Sequence, residues 1–140
     1  MSARLVLDNS VSAAWCFSDE TNSYTERVFQ TVVKDGGAVA PALWPIELAN
    51  ALVVAERRRR ITIEQREAFL KNLDHLDIEI QPLTTDQIFR KGIGLATLHR
   101  LSVYDATYLE IAIQQQLPLA TQDEELIRAA KDVGVAIFQP

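Results

Sequence analysis

Of the nineteen acidic residues in this chain, most need no explanation beyond solubility, but four stand in apolar surroundings. Asp8 closes the run Leu5-Val6-Leu7. Glu47 and Asn50 are the only polar residues between Trp44 and Ala55, three positions apart and so on one face of a helix. Asp105 follows Val103-Tyr104 and precedes the largely apolar stretch Ala106 to Ile113, and Asp123 follows Leu119-Ala120-Thr121. Each has an ordinary alternative. Asp8, Asp105 and Asp123 could cap helices, and Glu47 could complement the positive end of its helix dipole. Those roles do not account for all four facing one edge of a sheet. Two carboxylates about 4 Å apart repel by on the order of 4 kcal/mol at an effective dielectric near 20. A whole domain is stable by only about 5–15 kcal/mol, so converging acids need a cation or shared protons. An all-oxygen set without nearby His or Cys suits Mg²⁺ or Mn²⁺ rather than zinc. Such ions bind phosphates and lower the pKa of a coordinated water, which points to phosphodiester hydrolysis.

The elements that must bring these acids together can be read from pattern. Arg4 to Leu7 reads as a buried strand, with a helix capped by Ser10 running through Trp15 and Phe17. A second helix is expected over Ser23 to Lys34, stopped by Gly36-Gly37, then a strand Ala38 to Ala40 closed by Pro41. Pro45 suits a first helical turn, with the helix continuing from Ile46 to about Arg58. Thr62 and Gln65 form a capping box for a helix reaching about Leu76. Ile78 to Ile80 reads as a strand, Thr85-Asp86 opens a helix reaching about His99, and another runs from Val103 or Tyr104 to about Gln115. Pro118 to Thr121 is a strand, Asp123 to Lys131 a helix, and Val135 to Phe138 a last strand. Alternation of this kind implies an α/β fold with a parallel sheet of about four to five strands and helices on both faces. Ligands of such sheets bind at the carboxyl ends of the strands, where Asp8 and Asp123 lie.

Composition sets the bounds. With 140 residues, 48% of them hydrophobic and 24% charged, residues 1–140 fit one domain with a real core. No apolar run approaches the roughly 20 residues of a membrane span, and the start lacks a secretory signal, so a cytoplasmic setting is expected. Cys16 is the only cysteine, which excludes an internal disulfide and reads as a small buried hydrophobe. A net charge of −5 argues against nucleic-acid binding through a general positive field. Any such role must rest on a local basic patch or a metal.

Four segments carry a family resemblance: Leu5-Val6-Leu7-Asp8-Asn9-Ser10, Glu47-Leu48-Ala49-Asn50-Ala51-Leu52, Tyr104-Asp105-Ala106-Thr107-Tyr108-Leu109, and Leu119-Ala120-Thr121-Gln122-Asp123-Glu124-Glu125-Leu126. In this order and spacing the chain resembles the PIN domain and, in length, the VapC-type toxins of toxin–antitoxin modules. The resemblance implies a ribonuclease in which Asp8, Glu47, Asp105 and Asp123 hold one or two Mg²⁺ or Mn²⁺ ions, with Glu47 a ligand or the base for the attacking water. It implies that Ser10 and Thr121 support the site, and Asn50, on the face of Glu47, is added to them. RNA as substrate, products with a 5′-phosphate and 3′-hydroxyl, a cognate antitoxin and a homodimer follow from the same resemblance. Asn9 stands where many relatives carry a small residue or Thr, and Glu110 where many have a small or apolar one.

Other features weigh less. Arg57, Arg58, Arg59 and Arg60 end the Glu47 helix, where cations are stabilising in any case, but arginine also pairs bidentately with phosphate. His75 and His99 belong to no constellation and read as surface residues, which argues against a histidine-driven ribonuclease. Gly92-Ile93-Gly94 lacks a third glycine and a preceding strand, so no dinucleotide site is indicated. The Trp44, Leu48, Leu52 and Val53 helix is more apolar than one core contact requires, which suits either deep burial or a dimer interface. The rival function is a non-catalytic module that keeps the fold and binds protein or RNA. Retention of all four acids favours activity over it. A phospho-acceptor receiver domain would want adjacent acids after the first strand, where Asn9-Ser10 stand instead.

Overall fold

The computed structural model describes residues 4–139. Four parallel strands, β1 (Leu5–Leu7), β2 (Ala38–Pro41), β3 (Ile78–Gln81) and β4 (Leu119–Ala120), lie in the order β3-β2-β1-β4, with helices on both faces. β1 and β2 are buried along their whole length, as continuous Val/Leu/Ala runs between helical layers should be, whereas β3 at the edge is partly exposed. The expected fifth strand is reduced to a single bridge between Leu119 and Ile137, flanked by backbone bonds from Leu119 to Ala136 and from Phe138 to Leu119.

The helices are α1 (Asn9–Ala14), α2 (Ser23–Lys34), α3 (Leu43–Arg57), α4 (Ile63–Leu73), α5 (Thr85–Gln87), α6 (Ile93–His99), α7 (Val103–Gln115) and α8 (Glu124–Asp132). Capping explains the ends that fall as expected. Asn22 and Thr62 each form a full capping box, with Thr25 and Gln65. α3 begins two residues before Pro45, because a proline in the first turn removes only an amide that has no helical partner anyway. Between α5 and α6, residues Ile88–Gly92 form a π-helical turn, so the expected single helix is interrupted rather than regular.

Chain direction places the termini that matter. α3 follows β2 after one residue, so it starts at the carboxyl edge of the sheet. α7 feeds into β4 and therefore runs back along the sheet, which puts its N-terminus at that same edge. α8 leaves β4 there too. β1 is the switch point, with β2 on one side and β4 on the other.

α3 resolves the question its composition raised. Trp44, Leu48, Leu52 and Ala55 are buried within the chain, while Ile46 is 67% and Val53 39% exposed. The Trp44 indole N–H donates to Ser12 Oγ at 2.8 Å in the buried interior, tying α3 to α1 one turn before Glu47. Replacing Ser12 by Ala changes little volume but removes the acceptor and leaves the buried indole N–H unpaired. A loss of about 1–3 kcal/mol in chemical denaturation is expected, and an unchanged midpoint would remove this bond from the account.

Candidate active site

The register of β1 and β4 creates the centre of the site. Leu7 pairs with Ala120, so the next residues, Asp8 and Thr121, meet just past the strand ends. The Thr121 hydroxyl donates to Asp8 Oδ2 at 2.8 Å and the Ser10 hydroxyl to the same oxygen at 2.6 Å. Ser10 Oγ accepts in turn from the Gln122 amide, and Thr121 Oγ1 from the Asp123 amide, both at 3.0 Å. Asp8 occupies the cap position of α1 but makes no side-chain cap bond, so the capping alternative fails there. It is 5% exposed. Burial pushes its carboxyl above the ordinary value and the charge of Asp123 adds to this, against the two hydroxyl bonds, which favour the ionised form.

The other three acids arrive on helix starts. Asp123 does cap α8, its Oδ1 accepting from the Leu126 amide at 3.0 Å, so one oxygen serves the fold. Asp105 stands in the first turn of α7, where Ser102 is the cap and accepts from the Asp105 amide. Its carboxyl is raised to about 6, first by burial and then by the charges of Asp123, Asp8 and Glu47. Glu47 is half-buried on α3, and Tyr108 donates its hydroxyl to Oε1 at 2.5 Å. Burial raises Glu47 as well, and the Asp8 charge adds to it, while the Tyr108 bond opposes both. Asp105 thus lies within electrostatic reach of the other three acids, from four separate segments of the chain.

The cluster is loose. Among the described residues, no three acid, histidine or cysteine side chains stand close enough to grip one ion unaided. The donor chemistry nevertheless fits a hard divalent cation: every group is oxygen, and Mg²⁺ takes only one or two carboxylates while keeping several waters. A cleft of about 430 Å³ lined by Trp15, Phe29, Phe69 and Leu73 contains none of these acids.

The remaining candidates divide. Ser10 and Thr121 touch Asp8 directly, whereas Asn50 is exposed and makes no described hydrogen bond to the acids. Arg57, Arg58 and Arg59 are exposed, but Arg60 is committed within the chain. It bonds Asp19 and Glu20 and lies 4.4 Å over the Phe17 ring. Glu110 points away, buried beside Gln114 and Lys91. His75 is exposed as expected, but His99 is not a surface residue. It is buried at the end of α6, 3.8 Å from Asp132 at the far end of α8 from Asp123. Tyr108 was not among the candidates. Its signal was available: a hydroxyl three positions after Asp105, on the same face of an otherwise apolar helix.

A family model described as the PIN domain matches residues 5–132. In fold, the chain is similar to PAE2754 from Pyrobaculum aerophilum, at 21% identity and a TM-score of 0.65, over 92% of this chain and 86% of that one. It is similar also to FitAcB from Neisseria gonorrhoeae, at 19% identity and a TM-score of 0.66, over 97% of each. No curated protein matches it in sequence.

The raised carboxyl of Asp105 fixes the sign of a stability effect. In the metal-free protein the native state holds this proton more tightly than the unfolded chain does. The contribution of this group is therefore most favourable below about pH 4 and falls as the pH rises to about 6, beyond which its penalty is constant. The displacement corresponds to about 3 kcal/mol at the limit, and halving it for partial solvent exposure still exceeds the ~0.3–1 kcal/mol a helix N-terminus returns. Asp105→Asn should accordingly raise the melting temperature of metal-free protein at pH 7.5 by about 2–4 °C. A lower melting temperature for the variant would show that burial and repulsion together do not make this carboxylate a net cost to the fold.

Proposed function

The chain belongs to the PIN domain family, whose members are generally nucleases, and on that footing we propose that it is a metal-dependent endoribonuclease. The observation that carries this reading is the strand order and β1–β4 register, which set Asp8 beside Thr121 at the carboxyl edge where Asp123 and the starts of α3 and α7 also lie. A bound Mg²⁺ or Mn²⁺ would supply charge stabilisation on the phosphate and a more acidic water. Asp8, Asp105 and Asp123 would hold it. The Ser10 and Thr121 hydroxyls fix one oxygen of Asp8, leaving the second outside those two bonds. Glu47, with Oε1 occupied by Tyr108, has Oε2 to serve as a ligand or to take the proton of the attacking water. Water adds to phosphorus, the bond to the 3′-oxygen breaks, and the products carry a 5′-phosphate and a 3′-hydroxyl.

The resemblance to VapC-type toxins extends the proposal to a cognate antitoxin and a homodimer. Ile46 and Val53, exposed on α3, are apolar surface that a second copy could cover. No described helix is long and apolar enough to cross a membrane.

The purified protein is expected to cleave single-stranded RNA with Mg²⁺ or Mn²⁺, and Asp8→Asn to abolish cleavage with the far-UV circular dichroism retained. Undiminished cleavage by metal-free protein in excess EDTA would contradict this. A folded, metal-binding protein that never cleaves RNA would favour the non-catalytic module. For substrate contact, Arg57→Gln, Arg58→Gln and Arg59→Gln together should weaken RNA binding and flatten its dependence on salt. Arg60→Gln should instead act on stability, through Asp19, Glu20 and Phe17. Equal RNA-binding losses from Arg60 and from the other three would contradict that division.

A further inference from the structure

Among the described residues, Tyr108 is the largest fully buried side chain, at 0% exposure in the main core. Its neighbours along α7, Leu109, Ile111 and Ala112, are equally buried and apolar, so packing alone would be satisfied by a residue without a hydroxyl. A buried hydroxyl is costly unless bonded, and this one bonds a carboxylate, the stronger kind of acceptor. Among the described residues, it makes the only side-chain hydrogen bond between α3 and α7. The two helices it joins carry Glu47 and Asp105.

We propose that Tyr108 is a positioning residue for the acidic site: its hydroxyl holds Glu47 Oε1 and so directs Oε2 toward the space shared with Asp8 and Asp105. This role rests on the nuclease reading above. Glutamate has three rotatable side-chain bonds and, when half-exposed, samples several rotamers. Tyrosine has two, and here the ring is locked by the core, so the donor is fixed before any ligand arrives. The phenol can only donate to an ionised carboxylate. The hydroxyl thus holds one oxygen of Glu47 from within the core and acts on the site through that carboxylate.

The test is Mn²⁺ binding to the full chain, followed by electron paramagnetic resonance of the free ion, with RNA cleavage alongside. Tyr108→Phe is expected to keep the fold, weaken Mn²⁺ binding on the order of tenfold, and lower kcat with little change in KM. Because Tyr108 acts through Glu47, adding Tyr108→Phe to Glu47→Gln should cause no further loss of Mn²⁺ affinity. If Tyr108→Phe folds poorly, Glu47→Asp, which keeps the charge but shortens its reach to the hydroxyl, must show the same loss. Unchanged Mn²⁺ affinity together with unchanged kcat in the folded variant, or a further loss of either in the Glu47→Gln background, would overturn the positioning role alone. Failure of the wild-type protein to bind Mn²⁺ would overturn the nuclease reading and this role with it.

Discussion

Repulsion among four carboxylates is the constraint on which the rest of this structure turns. Acids that repel one another do not stay together unless the scaffold is stiffer than their repulsion is strong. The scaffold here is a parallel sheet whose central strands are wholly buried, and its switch point delivers Asp8 and Thr121 side by side. At Asp105, burial raises the carboxyl first and the charges of the other three acids add to it. On the nuclease reading proposed above, a bound cation would offset both.

The acids are secured in a common manner. Asp8 gives Oδ2 to Ser10 and Thr121, Glu47 gives Oε1 to Tyr108, and Asp123 gives Oδ1 to the α8 cap. Each keeps a second oxygen outside these bonds. Asp105 differs in degree: its amide bonds Ser102, and the small lowering that Ser102 gives its carboxyl is outweighed by burial and the other acids, which raise it to about 6. The cap and the functional reading of Asp123 are therefore compatible rather than rival. One oxygen closes the helix and the other remains for the site.

Much of this arrangement was legible in the sequence because it depends on local rules. The bounds of α2 follow from Asn22 and the glycine pair after Lys34, and those of α7 from its apolar run. The convergence of the acids follows from the handedness and order of parallel strands. What escaped the sequence depends on tertiary context. Pro45 marks a first turn but not which residue of it, and nothing local distinguishes the π-helical turn at Ile88–Gly92 from a regular helix. Val135 to Phe138 has strand composition, yet finds only one bridging position beside β4. His99 is polar, but α8 covers it. The arginine run reads as one unit in sequence, and only the fold reveals that Phe17, Asp19 and Glu20 claim Arg60.

The central claim is that these acids form one cation site at the β1–β4 edge. A crystal structure grown with Mn²⁺, with anomalous scattering recorded at the manganese edge, tests it most directly. The account predicts an anomalous peak coordinated by carboxylate oxygens of Asp8 together with Asp105 or Asp123, with Glu47 Oε1 still bonded to Tyr108. A well-occupied manganese bound elsewhere, with Asp8, Asp105 and Asp123 free of it, would contradict the account.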